Sequence, residues 1–255
     1  MVPSDPSRCS HDALWIASND ARRAGPEAHS CAGCPVRRQA LFGVFDEAML
    51  ARLPAHISEQ TIEPGQALYR ANEPAAAAWT IREGLIRLER SSERGGRRVL
   101  RLAGPGDLVG LEALLGQTHA ADAIACTPLQ VCRLPRVLID ELGAAEPALL
   151  RDLMKRWQAA LDEAEEWLTE LSTGDARWRM LRLLLKLSEY GEPDGRIWLP
   201  ARGDIGAMLD VTVETASRLV AALKREGVMQ FADLRHARLD MPRLLAALRE
   251  AVGPG

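Results

Sequence analysis

"RGDIGAMLDVTVETASRLVAALKREGVM", residues 202–229, decides the fold. It divides into two amphipathic pieces. In "GDIGAMLD" the side chains Ile205, Met208 and Leu209 fall on one side of a short helix. Thr212 is a good N-cap for a second helix, which Gly227 closes. Leu219, Val220 and Leu223 form the inner face of that second helix, with Val211 or Val213 packing at the turn. Thr212, Glu214, Ser217 and Arg218 then point outward over its first turns. A short helix, a turn and a longer helix with polar first turns make a helix-turn-helix. The flanks extend it. "DARWRMLRLLLKLSEYG" (175–191) is an amphipathic helix ending at Gly191, and "VMQFADLRHARLDM" (228–241) reads as a hairpin turning near Asp233. The spacing predicts a winged helix-turn-helix over 173–255.

A recognition helix laid in the major groove of double-stranded DNA presents its N-terminal residues to base edges. Arg218 can donate two bonds to guanine O6 and N7, and Glu214 can accept from cytosine N4. Thr212 and Arg202 are placed to fix phosphates. The same Glu214 and Arg218, four residues apart, can instead form a surface ion pair worth about 0.3–0.5 kcal/mol.

Working outward, residues 146–172 read as one long helix. Leu150, Leu153, Trp157, Ala160, Ala164, Trp167 and Leu171 recur in alternating steps of three and four, the spacing of a two-helix seam. A homodimer interface is the expected use; a helix lying on its own domain uses the same stripe. Residues 46–145 begin with a short helix at "DEAMLAR" (46–52). From 56 to 142 they read as short strands punctuated by Pro64-Gly65, Gly95-Gly96 and Gly104-Pro105-Gly106-Asp107, which suggests an antiparallel barrel or jelly roll. Residues 1–45 are irregular and carry three of the five cysteines, Cys9, Cys31 and Cys34.

The chain has 255 residues, enough for two domains. Its net charge of −3 hides an asymmetry: residues 145–171 carry 3 Lys and Arg against 7 Asp and Glu, residues 172–255 carry 13 against 11. An acidic helix thus precedes a mildly basic tail. No apolar run reaches the ~20 residues that cross a bilayer, and the first residues lack the pattern of a signal peptide. The expected location is the cytoplasm, where thiols stay reduced, so the cysteines point to metal, cluster or redox chemistry rather than disulfides.

Cys31 and Cys34 form a Cys-x-x-Cys in a polar, turn-rich segment. Zinc needs further ligands, for which His11 and His29 are the nearest candidates. A thioredoxin-like pair needs a βαβ context that is missing. A [4Fe–4S] cluster needs four thiolates; Cys9, Cys31 and Cys34 supply three, and the barrel must supply a fourth. Cys126 and Cys132 are six residues apart, and an even separation along one strand would put both on one face. Elsewhere Trp15, Trp79, Trp178 and Trp198 read as core or local anchors. His56, His119 and His236 read as surface or cap residues, and "RRVLR" (97–101) as a solvated strand edge. No Ser-His-Asp pattern, paired-carboxylate motif, P-loop or dinucleotide fingerprint argues for an enzyme.

Glu214, Ser217 and Arg218 match a Glu-x-x-Ser-Arg signature, and 202–229 resembles the DNA-binding region of the CRP/FNR family of bacterial transcription regulators, its FNR branch in particular. "EPGQALYRANEP" (63–74), "REGLIRL" (82–88) and "GPGDLVGLEALLG" (104–116) resemble the family's cyclic-nucleotide-binding-like barrel. Residues 146–171 fall where its dimer helix lies. The resemblance implies an α+β fold of jelly-roll barrel, long dimerisation helix and C-terminal winged helix-turn-helix. It also implies a homodimer reading an inverted TTGAT-like repeat and working with RNA polymerase. "QVCRLPRVLIDEL" (130–142) resembles the surroundings of the family's late barrel cysteine. That makes Cys132 the implied fourth ligand, with Cys126 as its rival, and implies an oxygen- or nitric-oxide-labile cluster on Cys9, Cys31, Cys34 and Cys132. The chain departs from the pattern at Phe42, where some relatives have another cysteine, and Cys9 must loop back over 22 residues to Cys31. A cluster with three cysteines, one with a non-cysteine ligand, a dithiol switch and a haem or small-ligand sensor are the alternatives.

Family barrels that bind cyclic AMP carry a Gly-Glu turn and an Arg-Ser pair. Here Gly110, Leu111 and Glu112 approximate the turn, while Ala121, Asp122 and Ala123 replace the pair. An aspartate would repel a cyclic phosphate, so no cyclic nucleotide is expected. In such a dimer Asp162, Glu163, Glu165 and Glu166 would push the two helices apart once the cluster is lost.

Overall fold

The computed structural model describes Cys34, Val36 and residues 57–91, 96–145, 147–192 and 194–252. Cys9, Cys31, Trp15, Phe42, His56 and the short helix expected at 46–52 lie outside the described residues.

Among the described residues eight strands build the first unit: β1 (Ser58–Ile62), β2 (Ala67–Tyr69), β3 (Ala77–Glu83), β4 (Ile86–Ser91), β5 (Arg97–Ala103), β6 (Leu108–Val109), β7 (Asp122–Ala125) and β8 (Leu129–Pro135). They form two antiparallel sheets, in the orders β1-β8-β3-β6 and β2-β7-β4-β5. Alternation along each strand turns one set of side chains between the sheets. Ile62, Tyr69, Trp79, Ile81, Ile86, Val109, Leu129 and Val131 fill that interior. Gly84 makes the β3–β4 turn possible: its φ is +89°, and a Cβ there would lie 2.2 Å from the Pro128 carbonyl.

Helix α1 (Arg136–Ala145) follows β8 directly, correcting the expectation of strands as far as 142. Helix α2 (Pro147–Ser172) begins with proline in its first turn, where the missing N–H costs nothing. The outer face of the first sheet, with Ala78, Leu108 and Leu134, is covered by Leu138, Ile139, Leu149 and Leu153 of these two helices.

The second unit runs α3 (Ala176–Ser188), β9 (Arg196–Trp198), α4 (Arg202–Leu209), α5 (Val213–Arg225), β10 (Met229–Phe231), β11 (His236–Leu239) and α6 (Met241–Val252). Asp175 caps α3 by accepting from the backbone N–H groups of Arg177 and Trp178. The expected hairpin is β10–β11; β9 joins it as a third strand. β9 does not follow from the sequence pattern, because three residues are too few to show a period; α6 is announced only by its N-cap Asp240, whose carboxylate accepts the Arg243 N–H at 3.0 Å.

The two units share one core. Leu85, Val99, Leu102 and Cys126 of the barrel pack with Trp167 and Leu171 of α2 and with Met180, Leu184, Ile205 and Leu209 of the second unit. This corrects the seam read along α2. Leu153, Trp167 and Leu171 are buried in their own chain, Ala160 and Ala164 are half-buried, and only Leu150 and Trp157 of the seven are exposed. A second stripe, Leu150, Met154, Trp157, Leu161 and Leu168, faces outward. Among the described residues no helix is long and apolar enough to cross a membrane.

Candidate functional site

The helix-turn-helix forms as its apolar spacing requires. Ile205, Met208 and Leu209 of α4 and Ala216, Val220 and Leu223 of α5 are buried, and Leu219 packs against them. Val211 fills the turn, whereas Val213 is half exposed. The turn is tight: a Cβ on Gly206 would lie 2.7 Å from the Val211 carbonyl. Asp210 ends α4 in the left-handed region, at φ 55°. Thr212 then caps α5, its hydroxyl accepting from the Thr215 N–H at 3.2 Å.

These restraints leave Thr212, Glu214, Ser217 and Arg218 exposed along the start of α5. The surface ion pair does not form. Arg218 Nη2 instead donates to Thr215 Oγ1 at 3.1 Å, and among the described residues it pairs with no carboxylate. Hydrogen bonds from its own backbone N–H and from the Thr212 hydroxyl hold the Glu214 carboxyl below its usual range. The surface thus offers an ionised acceptor and a guanidinium, both open to a partner. Arg202, the first residue of α4, is partly buried against Phe231, its guanidinium carbon 5.7 Å from the ring centroid. Burial lowers its pKa.

The unit is mounted on the barrel by the strand expected to be a solvated edge. Arg97 of β5 reaches Asp204 of α4 at 2.6 Å and Glu89 at 2.9 Å. Arg87 also holds Glu89, at 2.7 Å. Arg98 reaches Asp210 at 2.8 Å and Ser172 at 3.3 Å. Thus "RRVLR" is neither solvated edge nor nucleic-acid patch: its first two arginines grip the two ends of α4.

Cys126 and Cys132, expected on one face if one strand held both, do not share a strand: Cys132 lies in β8 and Cys126 in the bend after β7. Cys126 follows β7 and sits in the shared core, in a cleft of about 320 Å³ between the units that Arg87, Trp198, Asp204 and His236 also line. Burial pushes its thiol pKa up to about 12, against the opposing charge of Arg87. It is an inert thiol at neutral pH. Cys132, by the alternation of β8, lies on the outer face of the first sheet, opposite Glu59 and Thr80. Arg82 binds Glu59 at 2.6 Å. Against the cost of burial, Glu59, Cys132 and Cys34 around its guanidinium hold its pKa up. The structure therefore brings Cys34 to the Cys132 face and leaves Cys126 elsewhere. Among the described residues no three His, Cys, Asp or Glu form a metal site.

In the barrel, His119 is buried rather than on the surface, stacked on Tyr69 with ring centroids 3.8 Å apart. Its Nδ1 lies 3.5 Å from Glu112, the carboxylate of the Gly-Glu-like turn. Asp122 accepts the Ala71 N–H at 2.8 Å and lies 3.6 Å from Arg70. No spacing rule could reveal the His119 stack, whose partner lies 50 residues away. The acidic residues of α2 also divide. Glu163 turns inward, bound by Arg101 at 3.2 Å and by the Tyr190 hydroxyl at 3.0 Å, so it is not available to repel a second copy. Glu166 binds Lys186 at 3.0 Å.

Comparison with known proteins follows this division. The cyclic nucleotide-binding domain profile matches residues 59–146, and the Crp-like helix-turn-helix profile matches residues 179–247. The transcriptional activator protein FnrL of Cereibacter sphaeroides is 30% identical over 227 residues, covering 85% of this chain and 91% of that protein. The fumarate and nitrate reduction regulatory protein of Vibrio cholerae is 28% identical over 214 residues, covering 81% and 85%. Among solved structures, FixK2 from Bradyrhizobium japonicum superposes with a TM-score of 0.68 at 26% identity, covering 75% of this chain and 96% of that one.

Proposed function

Since this chain belongs to the CRP/FNR family of transcription regulators, we propose that it is a redox-responsive, DNA-binding homodimer controlled by an iron–sulfur cluster at its N-terminal cysteines. The observation that carries the redox reading is the convergence of Cys34 and Cys132 on the Arg82 guanidinium. The donor chemistry fits. Thiolate ligands bring negative charge, and Arg82 is a fixed cation beside two of them. Cys9 and Cys31 complete a four-thiolate set with Cys34 and Cys132. Cys126, a deeply buried neutral thiol, is the spectator. When bound, such a cluster supplies an oxidant-sensitive tie between the N-terminal segment and β8, with oxygen and nitric oxide as the candidate signals.

The chain's own residues make that tie consequential. Cys132 shares the outer sheet face with Leu134, which packs with Leu138, Leu149 and Leu153. Leu149 and Leu153 belong to the first turns of α2, next to the outward stripe that begins at Leu150. A segment held over Cys132 therefore supports the same layer that positions the dimer stripe. Two copies joined along Leu150, Met154, Trp157, Leu161 and Leu168 would carry two reading helices to an inverted TTGAT-like repeat. Glu214, Ser217 and Arg218 would read each half-site while Thr212 and Arg202 hold phosphates. Joint engagement raises affinity through effective concentration, so a monomer binds far more weakly. No cyclic nucleotide takes part in this reading, since Asp122 stands where the family's Arg-Ser pair would hold the phosphate. RNA polymerase is the downstream partner.

The test is anaerobic purification, followed by absorption spectra, iron and sulfide analysis and DNA binding before and after air. Each of the five cysteines is also replaced by serine. The expected protein is brown, with about four irons per chain. It loses them in the Cys9, Cys31, Cys34 and Cys132 variants and keeps them in Cys126→Ser. A colourless, iron-free protein whose DNA binding responds to dithiothreitol would overturn the cluster and leave a dithiol switch.

A further inference from the structure

Phe231 of β10 is 42% exposed. Two cations converge on its ring: Arg202 at 5.7 Å and Lys224 at 4.8 Å from the centroid. Among the described residues neither pairs with a carboxylate. Several other cations of the same unit do: Arg177 with Glu226 at 2.7 Å, Arg196 with Glu192 at 2.6 Å and Arg243 with Asp240 at 3.3 Å. Two positive charges gathered without an acid repel each other. The negative face of the ring relieves that repulsion in part, and an anion seated between them would relieve it further.

Fold stability does not explain the arrangement. Lys224, in the last turn of α5, is well placed against the helix dipole, but Arg202 stands at the first position of α4, where the dipole disfavours a cation. Ala201 precedes it without a side-chain cap, and a Cβ on Gly203 would meet open space. The approach to this corner is unobstructed.

Its place on α5 identifies the anion. Ser217 and Lys224 are seven residues apart, two turns along one face, with exposed Ala221 between them. The rise places Lys224 about 10 Å beyond Ser217 along the helix. A helix with its first turns against base edges has its later turns beside the sugar-phosphate backbone. We propose that Lys224 and Phe231, acting with Arg202, form a backbone clamp that grips DNA phosphate outside the bases read by Glu214, Ser217 and Arg218. The clamp rests on the DNA-binding reading above. Phe231 is a positioning residue in it: the ring makes no bond to phosphate, but holds the two cations toward a common point.

The test measures binding of the full chain, in its DNA-binding form, to a labelled duplex with the inverted repeat and to a scrambled duplex across a salt series. Lys224→Gln should weaken both complexes several-fold by a similar factor and lower the salt slope by about 0.9 for each phosphate no longer neutralised. Phe231→Leu, which removes no charge, should also weaken both and flatten the slope, and Phe231→Tyr should restore them. Arg218→Ala should instead cost affinity mainly on the repeat. Wild-type binding with unchanged affinity and slope in Lys224→Gln and Phe231→Leu overturns the clamp alone and assigns this corner to a protein surface. A wild type that binds neither duplex overturns the DNA reading and the clamp together. Lys224 is exposed, so its variant decides the matter even if Phe231→Leu fails to fold.

Discussion

Arg218 shows how a single side chain is kept available. Its bond to Thr215 orients the guanidinium along α5 without neutralising it. Arg218→Ala should therefore cost about 1–3 kcal/mol on the inverted repeat and little on scrambled DNA, measured by fluorescence anisotropy at fixed salt. Glu112 offers a pH test. Burial alone would raise its pKa, but the His119 imidazole 3.5 Å away and backbone N–H groups outweigh burial and hold it below its ordinary value of 4.5. A carboxyl depressed on folding contributes stability that is present above its unfolded pKa and lost as pH falls through the folded one. Chemical unfolding of the wild type should thus show stability falling below about pH 4.5, and Glu112→Gln should flatten that fall. At this scale the sequence is readable wherever the governing contacts are local. Thr212, Glu214 and Arg218 sit within two helical turns, and cap and periodicity place them together. Cys126 against Cys132 is not readable, because the answer depends on which strands pair. His119, expected at the surface, escapes for the same reason, its Tyr69 partner coming from another strand.

Helix α2 carries two apolar stripes about 100° apart on one cylinder. Leu149, Leu153, Trp167 and Leu171 face the body, while Leu150, Met154, Trp157, Leu161 and Leu168 face outward. Alternating steps of three and four can cross from one stripe to the other, and the seam read from sequence does so: it takes Leu150 and Trp157 from one and Leu153, Trp167 and Leu171 from the other. Periodicity reports that a face is apolar, not what covers it. The stripes can be separated by experiment. Leu171→Ala should lower the unfolding free energy by about 2–5 kcal/mol through the cavity it leaves. Leu161→Asp should leave the melting of the isolated chain near wild type and shift sedimentation to the monomer. Unchanged sedimentation in Leu161→Asp would remove the outward stripe from the dimer.

Across the whole molecule, the apolar core runs from Leu102 of the barrel through Trp167 to Leu209 beneath the reading head. The order of barrel, long helix and winged helix is legible from turn residues and hydrophobic periods, because each element buries one face. The contact between barrel and head is not, because arginines on a strand look the same whether they meet water or carboxylates. Arg97 and Arg98 hold Asp204 and Asp210, at opposite ends of a helix of 8 residues. Attachment at two separated points leaves a rigid body one rotation, about the line joining them, and here that line runs along α4. The buried side chains of Ile205, Met208 and Leu209 block that roll. The head is then clamped like a tool in a jig rather than hung on a tether, and in the proposed dimer the distance between two heads would become a gauge that accepts one half-site spacing. Arg97→Glu should loosen the gauge, so that repeats with a base pair added or removed bind nearly as well as the native spacing. Combining it with Asp204→Arg should restore the discrimination. A head transplanted onto another barrel should keep its half-site preference and lose its sense of spacing unless the β4–β5 hairpin travels with it.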